Sequence, residues 1–242
     1  MIACTLGMLS TAAWADMLIA SSPAEGQLWN DDIAAKMLAT GKITENIDFY
    51  DIRTGTPTLG DLLAYSAVMC FTDSLAADPN ALGDVLADYV DAGGGVVQAW
   101  ASNLAGYGIA GRWLSGGYAP FVYGNFGGGQ ETIGTRHVPA HPTLLDVDTF
   151  DGGSAGFRST GPVQTYAIAI ADWSGGDPLI AETPGKNGRI IGLNMFPPSS
   201  DVRSDLWVAS TDGGHMMANA MVYVPEPASI LLLTALMLLR RR

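Results

Sequence analysis

The sequence has little with which to staple a fold, hold a metal or bind a polyanion. Only two cysteines, Cys4 and Cys70, occur in 242 residues. Two thiols exclude a disulfide framework. No Cys-x-x-Cys pair exists, so neither a zinc ribbon nor a thiol redox motif is expected. Bases are scarce: 12 Lys and Arg stand against 24 Asp and Glu, for a formal charge of −12. Phosphate contacts need clustered Lys and Arg, so nucleic acid is excluded as a partner. Charged residues of both signs make up 15% of the chain and hydrophobic ones 48%. That balance excludes a disordered or fibrous chain. No internal repeat and no low-complexity linker is visible. No apolar run reaches the roughly 20 residues of a comfortable membrane span.

What is present is strand-helix-strand alternation. Met17–Ser21, Ile47–Ile52 and Ala64–Phe71 are expected strands, and Trp29–Ala39 is an expected helix with Trp29, Ile33, Met37 and Leu38 on one face. The next helix carries its own punctuation. Asp78 is the N-cap, Pro79 the first helical residue, and Leu82, Val85, Leu86, Tyr89 and Val90 the apolar stripe. Gly93 ends it. Gly95–Trp100 enters a fourth strand. Further strands are expected at Tyr166–Ala171, Leu179–Ala181 and Arg189–Asn194, and a final helix at about Asp212–Tyr223. Buried strands alternating with amphipathic helices imply an α/β domain, a mostly parallel sheet with helices on both faces.

Three strings in this region are similar to the class I glutamine amidotransferase-like superfamily. They are Ala81-Leu82-Gly83-Asp84-Val85-Leu86-Ala87-Asp88-Tyr89-Val90 with Gly93-Gly94-Gly95-Val96-Val97, then His141-Pro142-Thr143-Leu144-Leu145, and finally Arg189-Ile190-Ile191-Gly192-Leu193-Asn194. The resemblance implies a flavodoxin-like sheet. In catalytic members a strand leads into a strained, glycine-flanked turn bearing a nucleophilic Cys. Here Gly95–Trp100 leads into Ala101-Ser102-Asn103, with neither Cys nor glycine. The amidotransferase chemistry is read as lost, and no catalytic residue or cofactor is expected. The runner-up nucleophile is Ser102, with His141 as its base. The plain alternatives are a polar Ser102 satisfying a loop backbone, a His141 that orders the turn before Pro142, and a Cys70 that is a small buried hydrophobe.

The chain ends in Val224-Pro225-Glu226-Pro227, an apolar run from Ala228 to Leu239, and Arg240-Arg241-Arg242. Prolines around Glu226 stop the preceding fold. Terminal arginines obey the positive-inside rule. The three elements in this order resemble the PEP-CTERM sorting signal of Gram-negative bacteria. That resemblance implies a membrane-anchoring C-terminal helix along Ala228, Leu231, Leu233, Leu236 and Leu239, a basic stop at Arg240, Arg241 and Arg242, and processing near Pro-Glu-Pro by an exosortase, a membrane transpeptidase. The run has twelve residues, about 18 Å as a helix against a hydrocarbon core of about 30 Å. An ordinary buried C-terminal helix is the alternative. At the other end, Ala13-Trp14-Ala15 suits signal-peptidase cleavage before Asp16, without a basic n-region. The expected division is residues 1–15 as signal peptide, 16–224 as the α/β domain and 225–242 as the sorting signal.

Residues 100–126 hold seven of the 21 aromatics. Trp100, Tyr107, Trp113, Tyr118 and Tyr123 among them form a candidate ligand loop, because open α/β folds bind at this edge of the sheet. Stacking on sugar rings and packing of the loop onto the sheet are both open. Asp146, Asp148 and Asp151 miss the calcium-loop spacing, since Phe150 holds the fifth position. No metal is expected. The reading is an exported, non-catalytic envelope or cell-surface protein. Its expected partners are the cytoplasmic membrane, an exosortase-type enzyme and, by association, exopolysaccharide. A carbohydrate-binding module or a degenerate Ser102 hydrolase is the alternative.

Overall fold

A computed structural model describes residues 15–23 and 25–225. Solid apolar runs make the centre of the sheet. β1 (Met17–Ser22) is buried along its whole length, as a strand covered on both faces must be. The chain continues through α1 (Gln27–Leu38), β2 (Ile47–Asp51) and the single turn α2 (Leu59–Leu62), which Thr58 and Asp61 close with a capping box. β3 (Ala67–Thr72) is again wholly buried. α3 (Pro79–Asp91) starts where its punctuation says. The Asp78 carboxylate accepts from the amides of Asn80 and Ala81, and Gly93 follows the C-cap with φ 98°.

β4 (Gly95–Ala99) leads into a long excursion. It holds α4 (Arg112–Ser115), β5 (Phe126–Gly127), β6 (Ile133–Arg136), a 3-10 turn at Pro142–Leu144, and β7 (Arg158–Ser159). β8 (Ile168–Trp173), β9 (Pro178–Thr183), β10 (Ile190–Leu193) and α5 (Gly213–Tyr223) complete the domain.

The sheet order is β2-β1-β3-β4-β10-β9-β8-β6. Its first five strands run parallel and the last three antiparallel. The order 2-1-3-4 plus one more parallel strand is that of a flavodoxin-like doubly wound sheet. β5 and β7 pair apart from it. Alternation along each strand divides the core. Met17, Ile19, Met69 and Val97 lie under α1 and α5, whereas Leu18, Ala20, Val68 and Val96 lie under α3. Helices thus cover both faces.

Two local expectations need correction. Ala64, Tyr65 and Ser66 are turn rather than strand, because the amides of Ala64 and Tyr65 still bond back to Asp61 and Leu62 at the end of α2. Leu38 is exposed, since it lies one residue off the Trp29-Ile33-Met37 stripe. The expected C-terminal apolar helix falls on residues 226–242, outside the described residues, as does the expected leader up to Trp14. Among the described residues no helix is long and apolar enough to cross a membrane.

Candidate functional site

Doubly wound sheets bind ligands at the carboxyl ends of their strands, where the strand order reverses. Here that point lies between β1 and β3. Hydrogen bonds draw the two strand ends together. The amides of Asp73 and Ser74 donate to the Ser22 carbonyl at 3.2 and 3.0 Å, and the Ser22 hydroxyl donates to the Ser74 carbonyl at 2.6 Å. Rings pack beside them. Phe196 takes the edges of Trp29, Phe71 and Trp100 at 5.1, 6.0 and 5.3 Å. Phe157 stacks on Trp100 at 5.3 Å. The Arg203 guanidinium lies 5.1 Å over Phe157 and 5.8 Å over Trp29. Trp29, Phe71, Trp100 and Phe196 are all buried. This edge is packed as core.

Ser102 follows β4 at this edge and is buried. Its hydroxyl donates its one proton to the Ala99 carbonyl, with the Cys70 carbonyl a second acceptor in reach at 3.3 Å. His141 caps the 3-10 turn and packs edge-on against Tyr223 of α5 at 5.0 Å. Its Nδ1 is 2.8 Å from the Thr143 hydroxyl and its Nε2 3.1 Å from Glu182. Ser102 and His141 therefore spend their hydrogen bonds on different partners. The chain Thr143-His141-Glu182 has the connectivity of a triad. Thr143 is wholly buried, however, and its own amide donates to Nδ1. His141 hydrogen bonding holds the Glu182 carboxyl below its ordinary range against the opposing effect of burial. The Cys70 thiol is pushed up to about 12 by burial alone, which makes it a poor nucleophile.

The aromatic excursion is organised by a residue that the sequence pattern does not single out. Gln98, the one amide in the apolar strand Gly95–Ala99, accepts from Trp113 Nε1 at 3.1 Å. Its own amide nitrogen donates to the Tyr123 hydroxyl and the Ser102 carbonyl at 2.9 and 2.8 Å. Tyr123 in turn donates to the Ile109 carbonyl. Trp113 stacks on Tyr118, and both are buried, as is Trp100. These three indole and phenol rings present no face to solvent. Tyr107 (45% exposed) and Phe126 (57%) do.

His137 and His141 stand four residues apart, a spacing that on a helix pairs two imidazoles on one metal. They lie in a bend and at the cap of a turn instead. His137 goes to Asp172 at 2.7 Å and His141 to Glu182. Asp146 pairs with Lys42, and Asp151 accepts from Gly153, a turn glycine with φ 71°. Among the described residues no group of three or more His, Cys, Asp or Glu could hold a metal ion.

The opposite, amino-terminal edge of the sheet carries a groove of about 690 Å³. Its walls include Pro142, Leu145, Val222 and Pro225. Its polar groups are spoken for. Lys42 pairs with Asp146, the Asn219 amide donates to the carbonyls of Thr143 and Leu145, and Arg189 donates to the Tyr223 carbonyl. Carbon surface is left facing the space. Of the expected sorting residues, Val224 is buried at the end of α5 and Pro225 lines this groove. Glu226, Pro227, the anchor residues Ala228 to Leu239 and Arg240, Arg241 and Arg242 lie outside the described residues.

No protein-family model matches the chain, and no curated protein matches it by sequence. Solved structures do match. A ThuA-like protein from Bacteroides uniformis superposes with TM-score 0.60 at 16% identity, over 88% of this chain and 94% of that one. A ThuA-like protein from Parabacteroides merdae gives TM-score 0.61 at 12% identity, over 88% and 90%. A GMP synthase subunit from Thermoplasma acidophilum gives 0.51 at 7% identity, over 86% and 94%. At these identities the likeness is one of fold. It places the amidotransferase-like architecture among the neighbours of this chain.

Proposed function

We propose that this protein is an exported, non-catalytic surface protein: an amidotransferase-like domain without its chemistry, delivered by the PEP-CTERM-type signal at residues 225–242. The packed carboxyl edge of the sheet carries the non-catalytic part. The place where such folds act on ligands is filled by Trp29, Phe71, Trp100 and Phe196, and Ser102 is turned onto main-chain carbonyls. The signal itself supports the sorting part, with an exosortase-type enzyme and the cytoplasmic membrane as partners and an exopolysaccharide matrix as the setting. The excess of acids over bases favours solubility in cation-rich surroundings.

Mass spectrometry of the mature protein from its host tests this reading at both termini. The expected product begins at Asp16 and ends near Pro-Glu-Pro. A chain that keeps residues 1–15 and 225–242 in a strain possessing the sorting enzyme removes the reading. A glycan-binding module is the second reading, favoured by the exposure of Tyr107 and Phe126. Binding on a glycan array that persists in Tyr107→Ala and Phe126→Ala variants would count against that loop.

A further inference from the structure

We propose that the amino-terminal edge of the sheet is a membrane-resting face. In the uncut chain the groove and the carbon surface around it lie on the lipid headgroups of the cytoplasmic membrane, on its outer side. The inference rests on the sorting-signal reading and deepens it, since that reading gives the membrane to the tail and leaves the domain unoriented. Four large apolar side chains reach solvent at this edge. Leu38 ends α1, Leu145 and Val222 line the groove, and Ile168 opens β8. Ile168 stands opposite Glu182, which bonds His141 and Tyr223 beside the groove. Leu145 is 60% exposed. Gathered carbon surface of this kind marks a partner or a membrane. The charge here also departs from that of the chain. The groove lining has two bases, Lys42 and Arg189, and one acid, Asp146, whereas the whole chain has 12 bases and 24 acids. Cations set among exposed carbons suit phosphate headgroups over acyl chains.

Tether length selects a lipid surface as the occupant. Pro225 lines the groove, and on the sorting-signal reading the hydrocarbon core begins at Ala228. Three residues of chain reach at most about 11 Å. One headgroup layer takes about 5–8 Å of that reach, half the difference between a whole bilayer of about 40–45 Å and its core of about 30 Å. At most about 6 Å then separates the groove from the headgroups, so this edge cannot turn away from the membrane. The carboxyl edge, a six-residue strand further off, is held about 20 Å higher. A fluid leaflet fits a concavity of about 690 Å³ by placing a lipid in it.

Cysteine accessibility in the full chain tests this, in spheroplasts of a host strain without the sorting enzyme. Cys4 is replaced by Ser, and Cys70 is buried and stays silent. Leu145→Cys and Ile168→Cys report on the amino edge, Leu75→Cys and Phe126→Cys on the carboxyl edge; all four positions are exposed. Each is treated with a membrane-impermeant maleimide and, separately, with a lipid-soluble one. Aqueous labelling is expected to be about tenfold lower at the amino edge, the order set by taking a leucine-sized side chain out of water. Lipid-phase labelling should run the other way. Leu38→Asp with Val222→Asp, both at exposed positions, should restore aqueous labelling of Leu145→Cys. Equal aqueous labelling at the two edges overturns the proposal. Protection that fades as the protein is diluted in the membrane overturns it too, and makes the cover a second copy. Alkaline carbonate extraction reads the anchor separately. A chain that resists carbonate but labels equally at both edges sinks the resting face alone. A chain that carbonate strips, yet whose amino edge is shielded on membranes before stripping, sinks the anchor alone.

Discussion

Gly83 sits in the middle of α3, where alanine is ordinarily the better residue by about 1 kcal/mol. A Cβ on Gly83 would stand 1.9 Å from the carbonyl oxygen of Ala110 and 3.0 Å from Ile109 Cγ2. The excursion after β4 is laid against that bare turn of helix. Gly83→Ala should therefore destabilise, by about 1–3 kcal/mol as for other overpacked sites, and urea unfolding reads the sign directly. The odd glycine is visible in the sequence, but the carbonyl it admits is not. Gln98 teaches the same lesson. A lone amide in Gly95–Ala99 marks something, yet periodicity could not say that Trp113 and Tyr123 would supply its partners. Ser102 is legible as a residue at the carboxyl edge of the sheet, but its rotation onto the carbonyls of Ala99 and Cys70 is a fact of tertiary packing.

Among the elements, those that advertise themselves were legible. α3 has its Asp, Pro and Gly in place, and β1 and β3 read as unbroken apolar runs. The antiparallel half was legible only in part: β8 and β9 overlap the expected strands Tyr166–Ala171 and Leu179–Ala181, but the direction of these strands and the shorter pieces around them were not. β6 and β7 are four and two residues long, too short for a period, and nothing local tells β9 to run against β10. What binds that half is Arg158 of β7. It is buried and donates to Glu131 and Asp177 at 2.5 and 2.7 Å. Removing it strands two carboxylates, so Arg158→Ala should cost about 3 kcal/mol. Arg112, which bridges the exposed Asp88 and Asp91, should cost below about 1 kcal/mol on the same change. Urea midpoints of the two variants rank them. β9 meets the 3-10 turn and α5 through Glu182, bonded to His141 and Tyr223. Its carboxyl is held below 4.5 in the folded state. A depressed carboxyl stabilises above its unfolded value and loses that contribution as pH falls through the folded one. The stability gap between wild type and Glu182→Gln should thus be present above pH 4.5 and narrow below it in acid titrations.

At the scale of the molecule the two edges of the sheet divide the labour. The carboxyl edge, where sequence reasoning looks for a ligand, is core, because Phe157 and Phe196 arrive there from segments far along the chain. The amino edge, where Pro142, Leu145 and Pro225 line a groove, has the open surface. The overall α/β class follows from alternation, whereas strand order and the identity of the filled edge depend on contacts between distant segments. One detail of register reaches further. Met17 pairs with Ala67, which pairs with Gly95, and a Cβ on Gly95 would lie 2.5 Å from the carbonyl carbon of Val224. Two strand spacings are about 10 Å, so the entrance and exit of the fold are near neighbours. Joining Val224 to Asp16 through about six Gly and Ser residues, and opening the exposed turn between Ala105 and Gly106, should leave far-UV dichroism and cooperative melting intact. The same closeness makes the domain a natural insert: its two ends fit the footprint of a single loop, so a host protein could carry it without parting its own strands.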